Sequence, residues 1–244
     1  MDDFGTLLGH LPPEFTSFVM NDDEQNALDD GLTTPAEVAE VLRKGGCPPD
    51  RAFDRFLPAA LNLASSQFWT PLAVVQRAAE WIDELSIETV VDVGSGAGKF
   101  CVAAALFTRA RYIGIEHRPH LVEAARELAR AFEVDDRVSF EIGSLGEAPL
   151  PEGHAYYLYN PFGENLFGPT DHLDEKVELS TERYFRDIAV VENHLRMAPI
   201  GTCLMTYNGY GGAVPTSYQQ VRIDRKIPNL LRMWKKLGPR QTRS

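Results

Sequence analysis

The spacing of hydrophobic residues changes character near residue 88. Before that point apolar positions recur at intervals of three and four, as on helices with one buried face. Thr34-Pro35-Ala36-Glu37 supplies a hydroxyl N-cap, a proline in the first turn and a carboxylate three residues after the cap, and Gly45-Gly46 ends the segment. A second helix is expected from Pro49 to Leu63, with Phe53, Phe56, Leu57, Ala60, Leu61 and Ala64 on one face. A third begins at Thr70-Pro71 and carries Leu72, Val75, Ala78, Ala79, Trp81 and Ile82. Such stripes form core, so residues 1–85 are expected to be a helical N-terminal cap packed on the rest of the chain.

From Glu88 onward, short β-branched runs alternate with amphipathic helices. Strands are expected at Thr89–Val93, Arg111–Glu116, Val138–Ile142, Ala155–Tyr159 and Thr202–Tyr207, with helices at Lys99–Phe107, Pro119–Phe132 and Ser180–Met197. Tyr218–Ile223 and Leu230–Trp234 read as a closing antiparallel pair. This alternation calls for an α/β fold whose mostly parallel sheet is covered on both faces. The core is expected over 86–238, followed by a basic tail at 239–244.

Composition narrows the class. Hydrophobic content of 44% and charged content of 24% suit a globular protein, and no apolar run reaches the ~18 residues of a membrane span. Met1-Asp2-Asp3 opens the chain without the basic and apolar regions of a secretory signal, so a cytoplasmic location is expected. Cys47, Cys101 and Cys203 lie far apart, which argues against a zinc site or a disulfide framework, and no catalytic metal is expected. The net charge of −11 is uneven: residues 1–60 hold twelve acidic groups against four basic, while residues 222–244 hold eight basic groups against Asp224. Repulsion from phosphate makes double-stranded nucleic acid an unfavourable partner, and the acidic N-terminal helices are a candidate surface for a protein partner.

The chemistry centres on Val90-Val91-Asp92-Val93-Gly94-Ser95-Gly96-Ala97-Gly98-Lys99-Phe100, a strand entering a glycine-rich turn and then a helix. Backbone amides there can approach a ligand closely. A dinucleotide fingerprint would require glycine where Lys99 stands. A phosphate-binding loop would require glycine in place of Val93 and a hydroxyl residue in place of Phe100. Glu116 ends the next strand, where a carboxylate can accept both hydroxyls of a ribose.

Asp92, Gly94, Gly96 and Gly98 match the Asp-x-Gly-x-Gly-x-Gly motif in full, and with Glu116 the segment resembles the class I S-adenosylmethionine-dependent methyltransferases. The resemblance spans residues 88–236. It implies a Rossmann-like fold with a mostly parallel seven-stranded sheet and S-adenosyl-L-methionine as cofactor. It also implies that Asp92 and Gly94 lie near the methionine end, that Ser95, Gly96 and Gly98 belong to the cofactor turn, and that Glu116 holds the ribose. His117 would lie beside ribose or adenine, and Ser144 and Leu145 would flank the adenine, although the family often has Asp where Ser144 stands.

Asn160-Pro161-Phe162 follows the fourth strand and resembles the Asn-Pro-Pro-Phe motif of class I enzymes that methylate amino or amide nitrogen, with Phe162 one position early. The resemblance implies that Asn160 and Pro161 orient the acceptor nitrogen and that Phe162 stacks on a planar substrate. Gln67-Phe68-Trp69-Thr70-Pro71 resembles the Phe-Thr-Pro box of DNA adenine methyltransferases, implying that Trp69 and Thr70 cover the methionine end. Glu164, His172 and Tyr207 are weaker acceptor-side candidates, as is the loop from Tyr207 to Gly212. The expected function is methyl transfer, N-directed, onto a small molecule or a protein side chain. Its alternatives are a non-catalytic cofactor-binding protein acting through its helical N-terminal region and a nicotinamide oxidoreductase.

Overall fold

A computed structural model describes residues 31–227 and 229–238. Most of the acidic N-terminal stretch, with the partner surface expected of it, and the basic tail at 239–244 lie outside the described residues.

The first helix lying wholly within the described residues, α1 (Pro35–Arg43), starts as its sequence dictates. The Glu37 amide donates to Thr34 Oγ1 at 3.3 Å and the Thr34 amide donates to Glu37 Oε2 at 2.9 Å, closing a capping box. The expected single helix over 49–63 is instead two short ones, α2 (Asp50–Asp54) and α3 (Ala59–Leu63). Pro58 lacks an amide hydrogen, so it cannot continue α2 and sits at the N-cap of α3. The apolar stripe still packs inward: Phe53 stacks on Phe132 with ring centroids 4.6 Å apart. A single turn, α4 (Ser65–Phe68), leads into α5 (Leu72–Glu84).

Seven strands and three further α-helices follow, besides two short 3-10 turns between β4 and α8: β1 (Thr89–Val93), α6 (Lys99–Phe107), β2 (Arg111–Glu116), α7 (Pro119–Ala131), β3 (Val138–Ile142), β4 (Ala155–Tyr159), α8 (Thr181–Met197), β5 (Cys203–Tyr207), β6 (Tyr218–Asp224) and β7 (Leu231–Lys236). The sheet order is β3-β2-β1-β4-β5-β7-β6. The strands β1 to β5 run parallel, and β7 inserts antiparallel between β5 and β6. The sheet thus reverses its winding between β1 and β4, and open α/β sheets bind ligands at that crevice.

Strand alternation assigns the two faces. Val90, Tyr157, Cys203 and Met205 join a large core with α1, α2, α3, α5, α6 and α7. Val91, Val93, Tyr156, Leu158 and Leu204 face the other way, onto Ile188, Val191 and Leu195 of α8. The helices of residues 35–84 therefore share one apolar core with the sheet. They are also pinned electrostatically. Buried Lys99, the first residue of α6, donates to Asp50 at 2.6 Å and pairs with Asp54 at 2.8 Å, while Asp50 also accepts from the Leu72 amide at the start of α5. Among the described residues, no helix is long and apolar enough to cross a membrane.

Candidate functional site

The turn after β1 is shaped by what its glycines let in. Gly94 has φ +77° and Gly96 φ +53°, where L side chains are strained. A Cβ on Gly94 would lie 2.6 Å from Pro161, and one on Gly96 would lie 2.3 Å from the Trp69 ring. The two glycines thus admit the segment after β4 and the end of α4. Gly98 has a different task, because a Cβ there would meet Phe140 and Ala125 inside the core at 2.6 and 2.7 Å.

Glu116 is 5% exposed and locked in place by the chain around it. Its Oε2 accepts from the Gly96 amide at 3.1 Å and its Oε1 from the Arg118 amide at 2.9 Å. The His117 Nδ1 also lies 3.3 Å from Oε1, so that oxygen is the more crowded of the two. Burial raises the Glu116 pKa, opposed by those amides and by the Arg118 guanidinium. Beside it, burial and then the Arg183 and Arg118 charges push the His117 imidazole down to about 4. His117 is therefore neutral near pH 7, and its Nε2 is buried with no hydrogen-bond partner.

Two cavities open around this turn. The smaller, about 40 Å³, is lined by residues that include Ile115, His117, Ser144, Leu145, Phe162 and Leu179. The larger, about 160 Å³, lies among Trp69, Gly96, Glu116, Tyr159, Asn160 and Asn208, with Gln67, Phe68, Phe167 and Leu173 completing its walls. Gly94, His117, Pro161 and Glu164 border both, so the two are adjoining halves of one cleft. The segment after β4 is held across it: the buried Arg118 guanidinium donates to Glu164 at 2.9 Å and to Asp174 at 3.3 Å, and Glu164 accepts from the Leu173 amide at 2.7 Å.

Of the residues singled out from sequence, Trp69, Gly94, Gly96, Glu116, His117, Ser144, Leu145, Asn160, Pro161 and Phe162 border the cleft. Phe162 lies on the smaller, His117 side rather than beside Asn160, because its ring is taken into the core under α8. Asp92, Ser95, Gly98 and Thr70 line neither cavity. Asp92 is buried behind the turn, where the Cys101 thiol donates to it at 3.4 Å. Burial, assisted by the charge of Glu116 and opposed by that thiol, pushes the Asp92 pKa up to about 7. The Ser95 hydroxyl turns inward towards Gly114. Thr70 hydrogen-bonds the Tyr157 hydroxyl at 2.9 Å, and Tyr157 stacks on Phe100, so Thr70 ties the end of α4 to the sheet. His172 meets the Phe167 carbonyl at 3.2 Å, while the Tyr207 ring lies 4.7 Å from that of Tyr159 and its hydroxyl meets Asn229.

Arg118, Leu121, Phe167, Leu173 and Asn208 also line the larger cavity without having been singled out one by one as site residues from sequence. Only Asn208 carried a readable signal, since it follows a parallel strand at the end of the sheet where ligands bind.

Comparison with known proteins agrees with this geometry. Residues 85–155 match a family model described as a methyltransferase domain. Ribosomal protein L11 methyltransferase of Escherichia coli (strain K12 / DH10B) is 36% identical over 127 residues, covering 46% of this chain and 43% of that protein. That of Herpetosiphon aurantiacus is 39% identical over 67 residues, covering 28% of this chain and 21% of the relative. The chain spans less than half the length of these curated relatives. The solved structure of mitomycin 7-O-methyltransferase MmcR superposes with a TM-score of 0.51 at 14% identity, covering 88% of this chain and 66% of that one, which is a likeness of fold. With its glycine turn, its strand-end carboxylate and this sheet order, the structure has the Rossmann-like arrangement that the resemblance to class I methyltransferases implied, and residues 85–155 match a methyltransferase domain.

Proposed function

We propose that the protein is an S-adenosylmethionine-dependent methyltransferase that transfers to nitrogen, on a small molecule or a protein side chain. One observation carries this reading: a buried carboxylate fixed to the glycine turn and an asparagine at the neighbouring strand end border the same cavity. S-Adenosylmethionine supplies an electrophilic methyl on a sulfonium.

The residues fit that cofactor. Glu116, a buried carboxylate bordering the larger cavity, would accept the ribose hydroxyls, and the unpartnered Nε2 of His117 is a buried polar atom awaiting a ligand group. Leu145 and Phe162 supply apolar walls for the adenine, with Ser144 beside them. Gly94 and Gly96 leave backbone bare where the methionine end would lie, and Trp69 covers Gly96. Asp92, Ser95, Gly98 and Thr70 act behind this surface, holding the turn and its neighbours in position. Helices α1 to α5 serve as the cap that presents Gln67, Phe68 and Trp69 to the cleft.

Asn160 holds the acceptor. Its backbone has φ +38°, a conformation asparagine tolerates better than other side chains, and its carboxamide packs over Gly163, where a Cβ would lie 2.3 Å from Nδ2. An amide oxygen there accepts an N–H of the acceptor and turns the nitrogen lone pair towards the methyl. S-Adenosylmethionine would supply its methyl to that lone pair, and water at the exposed rim beside Asn160 would take the proton released from the nitrogen.

Calorimetry with S-adenosylhomocysteine, and transfer of labelled methyl from S-adenosylmethionine to pools of amines and of proteins, test this reading. Asn160→Ala is expected to keep the affinity for S-adenosylhomocysteine within about threefold while lowering transfer on the order of a hundredfold. Failure of the wild-type protein to bind S-adenosylhomocysteine overturns the cofactor assignment. Full transfer by Asn160→Ala overturns the role of Asn160.

A further inference from the structure

The ends of β4 and β5 present two asparagines together. Tyr159 and Tyr207 are register partners, so Asn160 and Asn208, the next residues, leave the sheet side by side. The Asn160 amide donates to the Gly209 carbonyl at 3.0 Å, and the Asn208 amide donates to the Leu230 carbonyl at 3.1 Å, which fixes both backbones at the rim. Asn208 has φ +59° and Asn160 φ +38°. A left-handed backbone suits glycine best, and among residues with a side chain it suits asparagine. Two such residues in adjoining positions point to a requirement for their side chains. Both border the larger cavity, both are exposed, and neither carboxamide hydrogen-bonds another described residue.

Resting on the methyltransferase reading above, we propose that Asn208 is a second acceptor-orienting residue, and that with Asn160 it selects a primary amino nitrogen. Such a nitrogen has two hydrogens and one lone pair. Two carboxamide oxygens from neighbouring strand ends can accept both hydrogens, which leaves the lone pair as the only free direction and aims it into the cleft. Transfer then forms the N–C bond, breaks the C–S bond with its electrons on sulfur, and releases one proton to water. The product retains a single N–H, so it can satisfy only one of the two oxygens. The second carboxamide thereby favours a single methylation, since an unmade hydrogen bond in the cleft penalises the secondary amine.

Sinefungin tests the pair without requiring the natural acceptor. It is the cofactor analogue in which an amine-bearing carbon replaces the methylsulfonium, so its amine reports which groups face the transferable methyl. S-Adenosylhomocysteine lacks that amine and serves as the reference ligand. Both are titrated calorimetrically into the full chain. Asn208→Gly removes the carboxamide at a φ that glycine adopts freely, and Asn208→Asp keeps an acceptor oxygen in place. Asn208→Gly is expected to weaken sinefungin about tenfold while S-adenosylhomocysteine stays within about twofold. Asn208→Asp is expected to hold or tighten sinefungin. An unchanged affinity ratio in Asn208→Gly overturns the role of Asn208, and so does an equal loss of both ligands with a lowered melting temperature. If Asn160→Ala alone changes the ratio, the reading of Asn160 stands and that of Asn208 falls. If wild-type protein binds neither ligand, the cofactor assignment itself has failed.

Discussion

On one side of the cleft, the groups that would hold the ribose and bare the backbone at the methionine end come from a single short stretch, residues 94–118, and act largely through backbone. Bare glycines, the Gly96 and Arg118 amides and the carboxylate they fix make that wall. On the other side, side chains do the work, and they arrive from four separated places: 67–69, 159–161, 167–173 and 208. The difference follows from what each wall must recognise. A cofactor of constant shape is met by backbone geometry that a local motif encodes, whereas an acceptor is met by side chains that can change without disturbing the turn.

This contrast predicts that the two walls can be broken separately. Gly96→Arg should have the largest effect. Its side chain would collide with Trp69 and fill the larger cavity, so S-adenosylhomocysteine binding should vanish in calorimetry while the sheet still folds. Retained binding would falsify the placement of the cofactor at this turn.

Lys99→Met reaches the turn from behind. It leaves Asp54 buried without its cation, and breaking one half of a buried pair typically costs about 3–5 kcal/mol. Chemical denaturation should show a loss of that order. Restoring part of it with Asp54→Leu in the same chain would identify the stranded carboxylate as the cause, whereas an unchanged midpoint in Lys99→Met would show that the pair does not anchor the helical segment.

Asp92→Asn is the most conservative substitution in shape, and it isolates a pH effect. The folded-state pKa of Asp92, about 7, lies above the ordinary carboxylate value of 3.8, so between these limits the folded chain holds a proton that the unfolded chain has released. Stability from this group is present at low pH and declines as pH rises towards 7, by about 1.4 kcal/mol for each unit of the shift. Asp92→Asn should flatten that decline in melting curves taken across the window. An unaltered slope would show that the buried carboxylate is not its source.

Much of the framework is readable from residue order because its causes are local. Val90 and Val91 alternate between two cores, Thr34 and Glu37 cap their own helix, and the strands fall within a residue or two of their hydrophobic runs. The segment 49–63 departs from its stripe because Pro58 interrupts the backbone ladder while the apolar face stays intact, a case where periodicity and hydrogen bonding disagree. The site divides in the same way. Gly94, Gly96 and Glu116 belong to one contiguous motif. Thr70, by contrast, sits beside Trp69 in sequence yet points to Tyr157 and away from the cleft.

By itself the sequence determined the alternation of strands and helices, the glycine turn and the strand-end carboxylate, because each depends on residues a few positions apart. Only the tertiary structure decided that Trp69 lies on Gly96, that Arg118 draws Glu164 and Asp174 across the cleft, that Phe162 turns from Asn160 towards His117, and that Asn208 stands beside Asn160. Those contacts join segments tens of residues apart. Their geometry is fixed by strand order and by how the two cores pack, and no local spacing in the chain encodes it.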